Sequence, residues 1–243
     1  MRDGVDSTMN PFDLYALETA LRLKEQLGAS ISVITMGPPQ AEAVVREAYQ
    51  MGADRGYLLS DRAFAGADTL ATSYTLARGI EKVGAFDLIL CGLQTTDGDT
   101  AQVGPGMAEV LKIPHESNVI QVKEVADDRV TVVSDLGTKL YTKAIQFPCL
   151  LTVTKEVGEP RLVSYRLKKK TKDWPVVVLT SQDFLGEEHA FFGLSGSPTQ
   201  VERTFAPETN EDHEIWEGDV HELSSKLHAK LHELRFVGGA PGA

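Results

Sequence analysis

Apolar residues recur at helical spacing from Leu14 through Leu17, Ala20, Leu21 and Leu27. Asn10-Pro11 opens this run well, since Asn can cap and Pro suits a first helical turn, and Gly28 closes it. Ile31–Met36 (ISVITM) then reads as a buried strand. Pro38-Pro39 starts a second helix with Ala41, Val44, Val45, Ala48 and Met51 on one face and Gly52 at its end. Tyr57–Ser60 is a short strand, and Asp68 caps a third helix carrying Leu70, Tyr74, Ala77, Ile80 and Val83. Leu88–Cys91 is a strand, followed by a Gly/Thr/Asp loop and a fourth helix through Met107, Val110 and Leu111 to about Lys112. This alternation predicts an α/β fold: a parallel, Rossmann-like sheet with helices on both faces. Ligands of such sheets bind at the carboxyl ends of strands. The Cys91 loop, Met36-Gly37-Pro38 and the segment after Ser60 lie at such ends.

The pattern changes after His115. Residues 119–125, 129–135, 139–145 and 149–153 read as strands joined by turns at Asp127-Asp128 and Leu136-Gly137. They form an antiparallel extension or return into the main sheet. A basic segment, Arg161 to Lys172, precedes a strand around Val176–Leu179. From Gly186 periodicity fades into Gly, Ser, Pro and Thr, which predicts an extended arm. Helical spacing returns through Val220, Leu223, Leu227, Leu231 and Leu234. The chain is thus divided into an α/β domain, 1–185, and an arm with a terminal helix, 186–243, packing on a partner or folding back on its own domain. Residues 1–9 hold no strand candidate, so the chain starts on a helix where a βα unit starts on a strand.

Composition narrows the function. A hydrophobic content of 42% in 243 residues is ordinary for a globular chain. The net charge of −11 argues against a nucleic-acid partner, which needs a basic surface. No apolar run approaches the roughly 18 residues of a membrane span, and the N-terminus lacks a signal-peptide pattern, so a cytoplasmic protein without membrane insertion is expected. Cys91 and Cys149 have no metal-ligand spacing and read as small buried hydrophobes. His228 and His232 stand four apart on the terminal helix but lack a third ligand, so a solvated helix face is the better reading.

The loop CGLQTTDGDTAQVGPG carries the chemistry. A helix N-terminus presents unpaired N–H groups, and its macrodipole favours anions, so a strand–loop–helix joint of this kind suits phosphate. Asp99-Thr100-Ala101-Gln102 has the spacing of a capping box. Thr95, Thr96, Thr100 and Gln102 can donate to phosphate oxygens, and Gly98 and Gly104 permit close backbone approach. Ionised Asp97 and Asp99 would repel phosphate; they suit loop N–H groups, ribose or ribityl hydroxyls, or a metal ion. Neither a Walker A sequence nor a GxGxxG motif is present, and a merely well-capped helix has the same composition. The readings left open are a nucleotide site, a merely well-capped helix and, from another class, an ATP-dependent enzyme with Mg²⁺ on Asp97 and Asp99.

Four segments, NPFDLYALETALRLKE, TMGPPQAEAVVREAYQMGADRGYLLSDRAFAGADTLATSY, CGLQTTDGDTAQVGP and GLSGSPTQVERTF, resemble the beta (small) subunit of an electron transfer flavoprotein. DGDTAQVGP and GSPTQVER resemble the flavin-bifurcating type of anaerobic bacteria rather than the respiratory type that holds AMP. The resemblance implies a heterodimer with an alpha subunit. It implies FAD as cofactor, NADH as electron donor, and an acyl-CoA dehydrogenase-like protein and ferredoxin or flavodoxin as acceptors. Such a chain is an electron carrier that oxidises NADH only within the complex, and no side chain is expected to act as acid, base or nucleophile. By the same resemblance Asn10, Pro11, Phe12 and Asp13 lie near the adenine and Met36 lines the nucleotide. Thr95, Thr96, Asp97, Gly98, Asp99, Thr100, Ala101, Gln102 and Val103 form the diphosphate loop. Residues 159–172 match a partner-recognition loop, with Tyr165, Leu167 and Lys168 at a tip that departs from the respiratory pattern. Members of the family begin with a strand and a nucleotide-contacting loop, neither of which precedes Met1 here. The resemblance therefore predicts a truncated gene model or a start at an internal Met, and a poorly folded or flavin-poor product.

Overall fold

A computed structural model describes residues 7–203, 205 and 213–237. The chain divides into two compact units, 1–200 and 201–243. The leading residues 1–6, and residues 204 and 206–212 of the predicted arm, lie outside the described residues.

The first unit is α/β. Helix α1 (Pro11–Leu27) ends on Gly28, whose φ of 72° is the left-handed conformation that suits glycine. Strand β1 (Ser32–Met36) leads through a 3-10 turn, Pro39–Ala41, into α2 (Glu42–Met51) and then β2 (Arg55–Leu59). Helix α3 (Thr69–Val83) is capped as its sequence predicts: the Asp68 carboxylate accepts from the Leu70 and Ala71 N–H groups. Strand β3 (Leu88–Gly92) precedes the loop and α4 (Val103–Leu111). Then follow β4 (His115–Val125), β5 (Arg129–Asp135), β6 (Leu140–Gln146), β7 (Cys149–Val153), the short helix α5 (Tyr165–Lys170) and β8 (Val177–Leu179).

The strands form two sheets, β1-β2-β8, all parallel, and β3-β7-β4-β5-β6. Both sequence alternatives for the later strands are realised. Strands β4, β5 and β6 form an antiparallel meander, while β7 returns parallel between β3 and β4. Being central explains why β7 (CLLTV) is buried at every position and carries no alternation.

Alternate residues of β1 and β3 reach opposite faces, as a period of two demands. Val33 packs with Leu17 and Leu21 of α1, while Ile34 packs with Leu76 of α3. Leu88 and Leu90 pack with Ala16 of α1, while Ile89 and Cys91 pack with Met107 of α4. Helix α1 thus spans both sheets on one face, and Ile34 and Leu76, which join the cluster around Ile89 and Met107, tie them on the other. Among the described residues, strands β1 and β3 each bond one neighbour only. Hence β1, expected to be buried, is half-buried along its whole length.

Two further expectations change. The basic segment forms helix α5, its first turn held by the Ser164 hydroxyl accepting from the Leu167 N–H. Residues 186–200, read from sequence as the start of the arm, pack into the first unit. Phe192 is buried against Phe64, Tyr74 and Phe184, and the Ser197 hydroxyl accepts from the Asp68 N–H at the head of α3. The compact unit therefore ends at Gln200. In the second unit Asp219 caps α6 (Val220–Glu233), which leaves Val220, Leu227 and Leu234 exposed. No helix among the described residues is long and apolar enough to cross a membrane.

Candidate nucleotide site at the end of β3

The loop begins where β3 ends. Gly92 sits against α1 so closely that a Cβ there would stand 2.6 Å from the Phe12 carbonyl carbon and 2.8 Å from the Asp13 nitrogen. Only glycine permits this approach. The Gly92 N–H donates to Asp13 Oδ1 at 2.8 Å. Asn10 Nδ2 donates both to Asp13 Oδ2, at 3.1 Å, and to the Gln94 carbonyl, at 2.9 Å. The Gln94 amide in turn donates to Asp99 Oδ1, and the Asp99 N–H closes the turn on the Thr95 carbonyl at 2.9 Å. Asn10 is therefore no side-chain cap for α1; its amide is committed to the loop instead.

Thr95, Thr96, Asp97, Gly98, Asp99 and Thr100 are exposed. Asp99 and Ala101 hold positive φ, 51° and 54°, a conformation non-glycine residues rarely adopt. The expected capping box is not formed. Helix α4 starts at Val103, beyond the reach of Asp99, whose carboxylate is taken by Gln94. Gln102 Oε1 instead accepts from the Thr69 hydroxyl at 2.9 Å, which leaves its amide hydrogens for other acceptors. At the head of α4 the Val103 and Gly104 N–H groups have no intrahelical partner, and Pro105 has none to offer.

One atom is conspicuous. Asn10 Oδ1 is buried and has no hydrogen-bond partner among the described residues. Turning the amide over would set oxygen against the Asp13 and Gln94 oxygens, so the acceptor must stay where it is. A buried acceptor without a donor is costly, and a ligand amino or hydroxyl group would satisfy it. Burial raises the Asp13 carboxyl above the usual range despite the Gly92 and Asn10 hydrogen bonds. Burial, with the Asp13 charge nearby, also pushes the Cys91 thiol up, and burial pushes Cys149 up to about 11. Both cysteines thus stay protonated packing groups at neutral pH.

The structure joins Asn10, Asp13 and Asp99 to one network through Gly92 and Gln94, and ties Gln102 separately to Thr69, but it does not gather every predicted residue. Pro11 is exposed, and Phe12 contributes backbone against Gly92 while its ring meets Tyr15 edge-on at 6.5 Å. Met36 ends β1 and packs with the cluster of Leu59 and Phe64. Sequence reasoning missed Gln94, Thr69 and Gly92 as site-builders. A glycine closing a strand just before the loop was the available signal for Gly92. On the basic segment Tyr165 is exposed beneath Lys169, and Lys168 is exposed, but Leu167 is half-buried. Leu162, 91% exposed, is the more prominent apolar group there.

Parallel strands, helices on both faces and a small-residue loop ahead of a helix define a chain of the α/β nucleotide-site class. Comparison with known proteins narrows this. Residues 1–183 match the electron transfer flavoprotein domain. The chain is 44% identical to the caffeyl-CoA reductase–Etf complex subunit CarD of Acetobacterium woodii, over 98% of this chain and 90% of that one. It is 43% identical to the electron transfer flavoprotein subunit beta of Thermoanaerobacterium thermosaccharolyticum, with the same coverage. It is 42% identical to protein FixA of Bradyrhizobium diazoefficiens, over 85% and 74% of the two chains. The chain belongs to the electron transfer flavoprotein family, as a member similar to its beta subunits, and its role is electron transfer.

Proposed function

We propose that this chain is the beta subunit of a heterodimer that holds FAD on the loop of residues 94–103. With its alpha subunit it passes electrons from NADH to an acyl-CoA dehydrogenase-type partner and to ferredoxin or flavodoxin, in the cytoplasm. The observation that carries the nucleotide reading is the buried, unpartnered Asn10 Oδ1 beside a loop of exposed hydroxyls and a helix N-terminus. Both ends of an adenylate are matched: an amino or hydroxyl donor for Asn10, and acceptor oxygens for Thr100, Gln102 and the α4 N–H groups. A bound flavin supplies the one- and two-electron chemistry, while this chain supplies binding and placement. Similarity to a subunit of a reductase–Etf complex supports the bifurcating role. Exposed Leu162 and Tyr165, among Arg166, Lys168, Lys169 and Lys170, offer an apolar tip with a basic rim to an acidic partner. AMP is the second reading, because the same loop would take its phosphate equally well.

Heat release of the ligand from the complex with the alpha subunit, followed by absorption spectroscopy and nucleotide analysis, decides between them. Two flavins per heterodimer are expected. One flavin plus AMP would establish the second reading, and a folded complex that releases no nucleotide from this subunit would overturn both. Thr100→Ala and Gln102→Ala are each expected to weaken nucleotide retention about tenfold, the scale of one lost hydrogen bond to a charged group.

A further inference from the structure

Both oxygens of the Asp13 carboxylate accept hydrogen bonds within the protein. One oxygen accepts from the Gly92 N–H at 2.8 Å and the other from Asn10 Nδ2 at 3.1 Å. The second hydrogen of the same Asn10 amide goes to the Gln94 carbonyl at 2.9 Å. Gln94 then holds Asp99 by its side chain. A single carboxylate on the first turn of α1 thus grips both the last residue of β3 and, through Asn10, the first peptide of the loop.

We propose that Asp13 is a positioning residue: it sets the place of the 94–99 loop relative to α1 and fixes the direction of the Asn10 amide. Two features of the geometry support this. Loop residues Thr95–Thr100 are exposed, so packing contributes little to locating them. The Asn10–Gln94 bond reaches the loop from α1, beside the Leu93 N–H donating to the Val153 carbonyl at 2.9 Å, and the Gln94–Asp99 bond relays that tie within the loop. The direction of the Asn10 amide follows from Asp13 and the Gln94 carbonyl together, since both accept and only the NH₂ end can face them. The leftover Oδ1 is the buried acceptor without a partner. An amide at position 13 would keep an acceptor for Gly92 but could present hydrogens to Asn10, and the orientation of Asn10 would no longer be dictated. Asp13 thus acts on the loop through Asn10.

The consequence for nucleotide rests on the loop being the nucleotide site; the placement of the loop does not. The test uses the full chain with its alpha subunit and the variants Asp13→Asn, Asn10→Ala and the double variant. Amide hydrogen exchange is read across residues 88–103, and binding of FAD and of AMP is measured by calorimetry. Exchange of the 94–99 amides is expected to accelerate about fivefold in each single variant, the scale of one lost hydrogen bond. The double variant is expected to do no worse than the singles, because both act through one relay. Asn10→Ala should spare the Gly92 amide, whose acceptor it leaves in place. Affinity for the nucleotide the parent binds should fall in parallel, about tenfold. Unchanged exchange at 94–99 in Asn10→Ala would overturn the proposal. So would additive losses of affinity with an undisturbed loop, which would make Asp13 a direct ligand contact. Should Asp13→Asn prove unstable, Asn10→Ala still decides, since it leaves the Asp13–Gly92 bond intact. Should the parent bind neither FAD nor AMP, the nucleotide reading fails, while the exchange data still test the placement of the loop.

Discussion

Gly104→Ala is expected to lower stability by about 2 kcal/mol and the melting temperature by about 4–8 °C. The added Cβ would stand 2.5 Å from Thr152 Cγ2 and 3.0 Å from Cys91 Sγ, where α4 crosses β7 and β3. Neither neighbour can give way cheaply. Thr152 is wholly buried on the central strand, and its hydroxyl accepts from the Asn118 N–H at 3.3 Å, which fixes its rotamer. The relief available is for the head of α4 to lift off the sheet, carrying with it the unpaired N–H groups of Val103 and Gly104. Loss of stability and loss of nucleotide are therefore expected together. Thr152→Ser removes the clashing methyl and keeps the hydroxyl, so the double variant should recover most of the loss. If Thr152→Ser gives no recovery, the close approach is not the cause. Thermal melts of the four proteins, parent included, complete the cycle.

What could be read from the sequence was local. Pro11, Gly28 and Asp68 bound α1 and α3 through chemistry within a few residues, and their helices form where the pattern predicts. The apolar run of β7 reads as a strand, and its central place, which the sequence left open, accounts for its lack of alternation. What failed depended on distant partners. The Asp99–Gln102 spacing of a capping box is real in the sequence. However, the Asp99 carboxylate is taken by Gln94, and Gln102 turns to Thr69 on another helix. No spacing rule sees a bond between residues 13 and 92. Helix α5 hid behind a run of like charges, which reads as solvated loop, and Phe192 hid in a glycine- and serine-rich stretch that reads as arm. The position of the candidate site was visible because a loop at the carboxyl end of a strand is a local feature. The side chains that hold the loop were not, since α1 reaches it only once the sheet has formed.

Arg161→Ala is expected to destabilise the first unit by about 2 kcal/mol near neutral pH, with a pH profile that identifies the cause. The Glu18 side chain, 6% exposed, accepts from Arg161 Nε at 2.8 Å, from Arg161 Nη2 at 3.1 Å and from Arg22 Nε at 2.9 Å. Stripping a buried carboxylate of its partner costs about 3–5 kcal/mol; the smaller figure here reflects the Arg22 that remains. Burial alone would raise the Glu18 carboxyl, but the Arg161 and Arg22 hydrogen bonds outweigh it and hold it below the usual carboxylate range. A depressed folded-state value means that Glu18 stabilises fully above its unfolded value and loses that contribution as pH falls through the depressed one. In Arg161→Ala burial is less opposed and the carboxyl rises, so near neutral pH the variant carries a poorly compensated buried charge. Acid neutralises Glu18 in both proteins. The gap in melting temperature should therefore be widest near pH 7 and narrow steadily through the carboxylate range. A gap independent of pH would assign the loss to packing of the Arg161 stem instead. Arg161→Lys, with the charge but without the fork, should fall between the two. The same variants bear on partner docking. The Arg161 N–H and guanidinium pin to α1 the segment that leads into Leu162, Tyr165 and the basic face of α5. Releasing that anchor should weaken docking of an acidic partner at pH 7 more than charge count alone accounts for. Binding measured for Arg161→Ala against an Arg166→Ala control, which removes the same charge from an exposed position, separates anchoring from electrostatics.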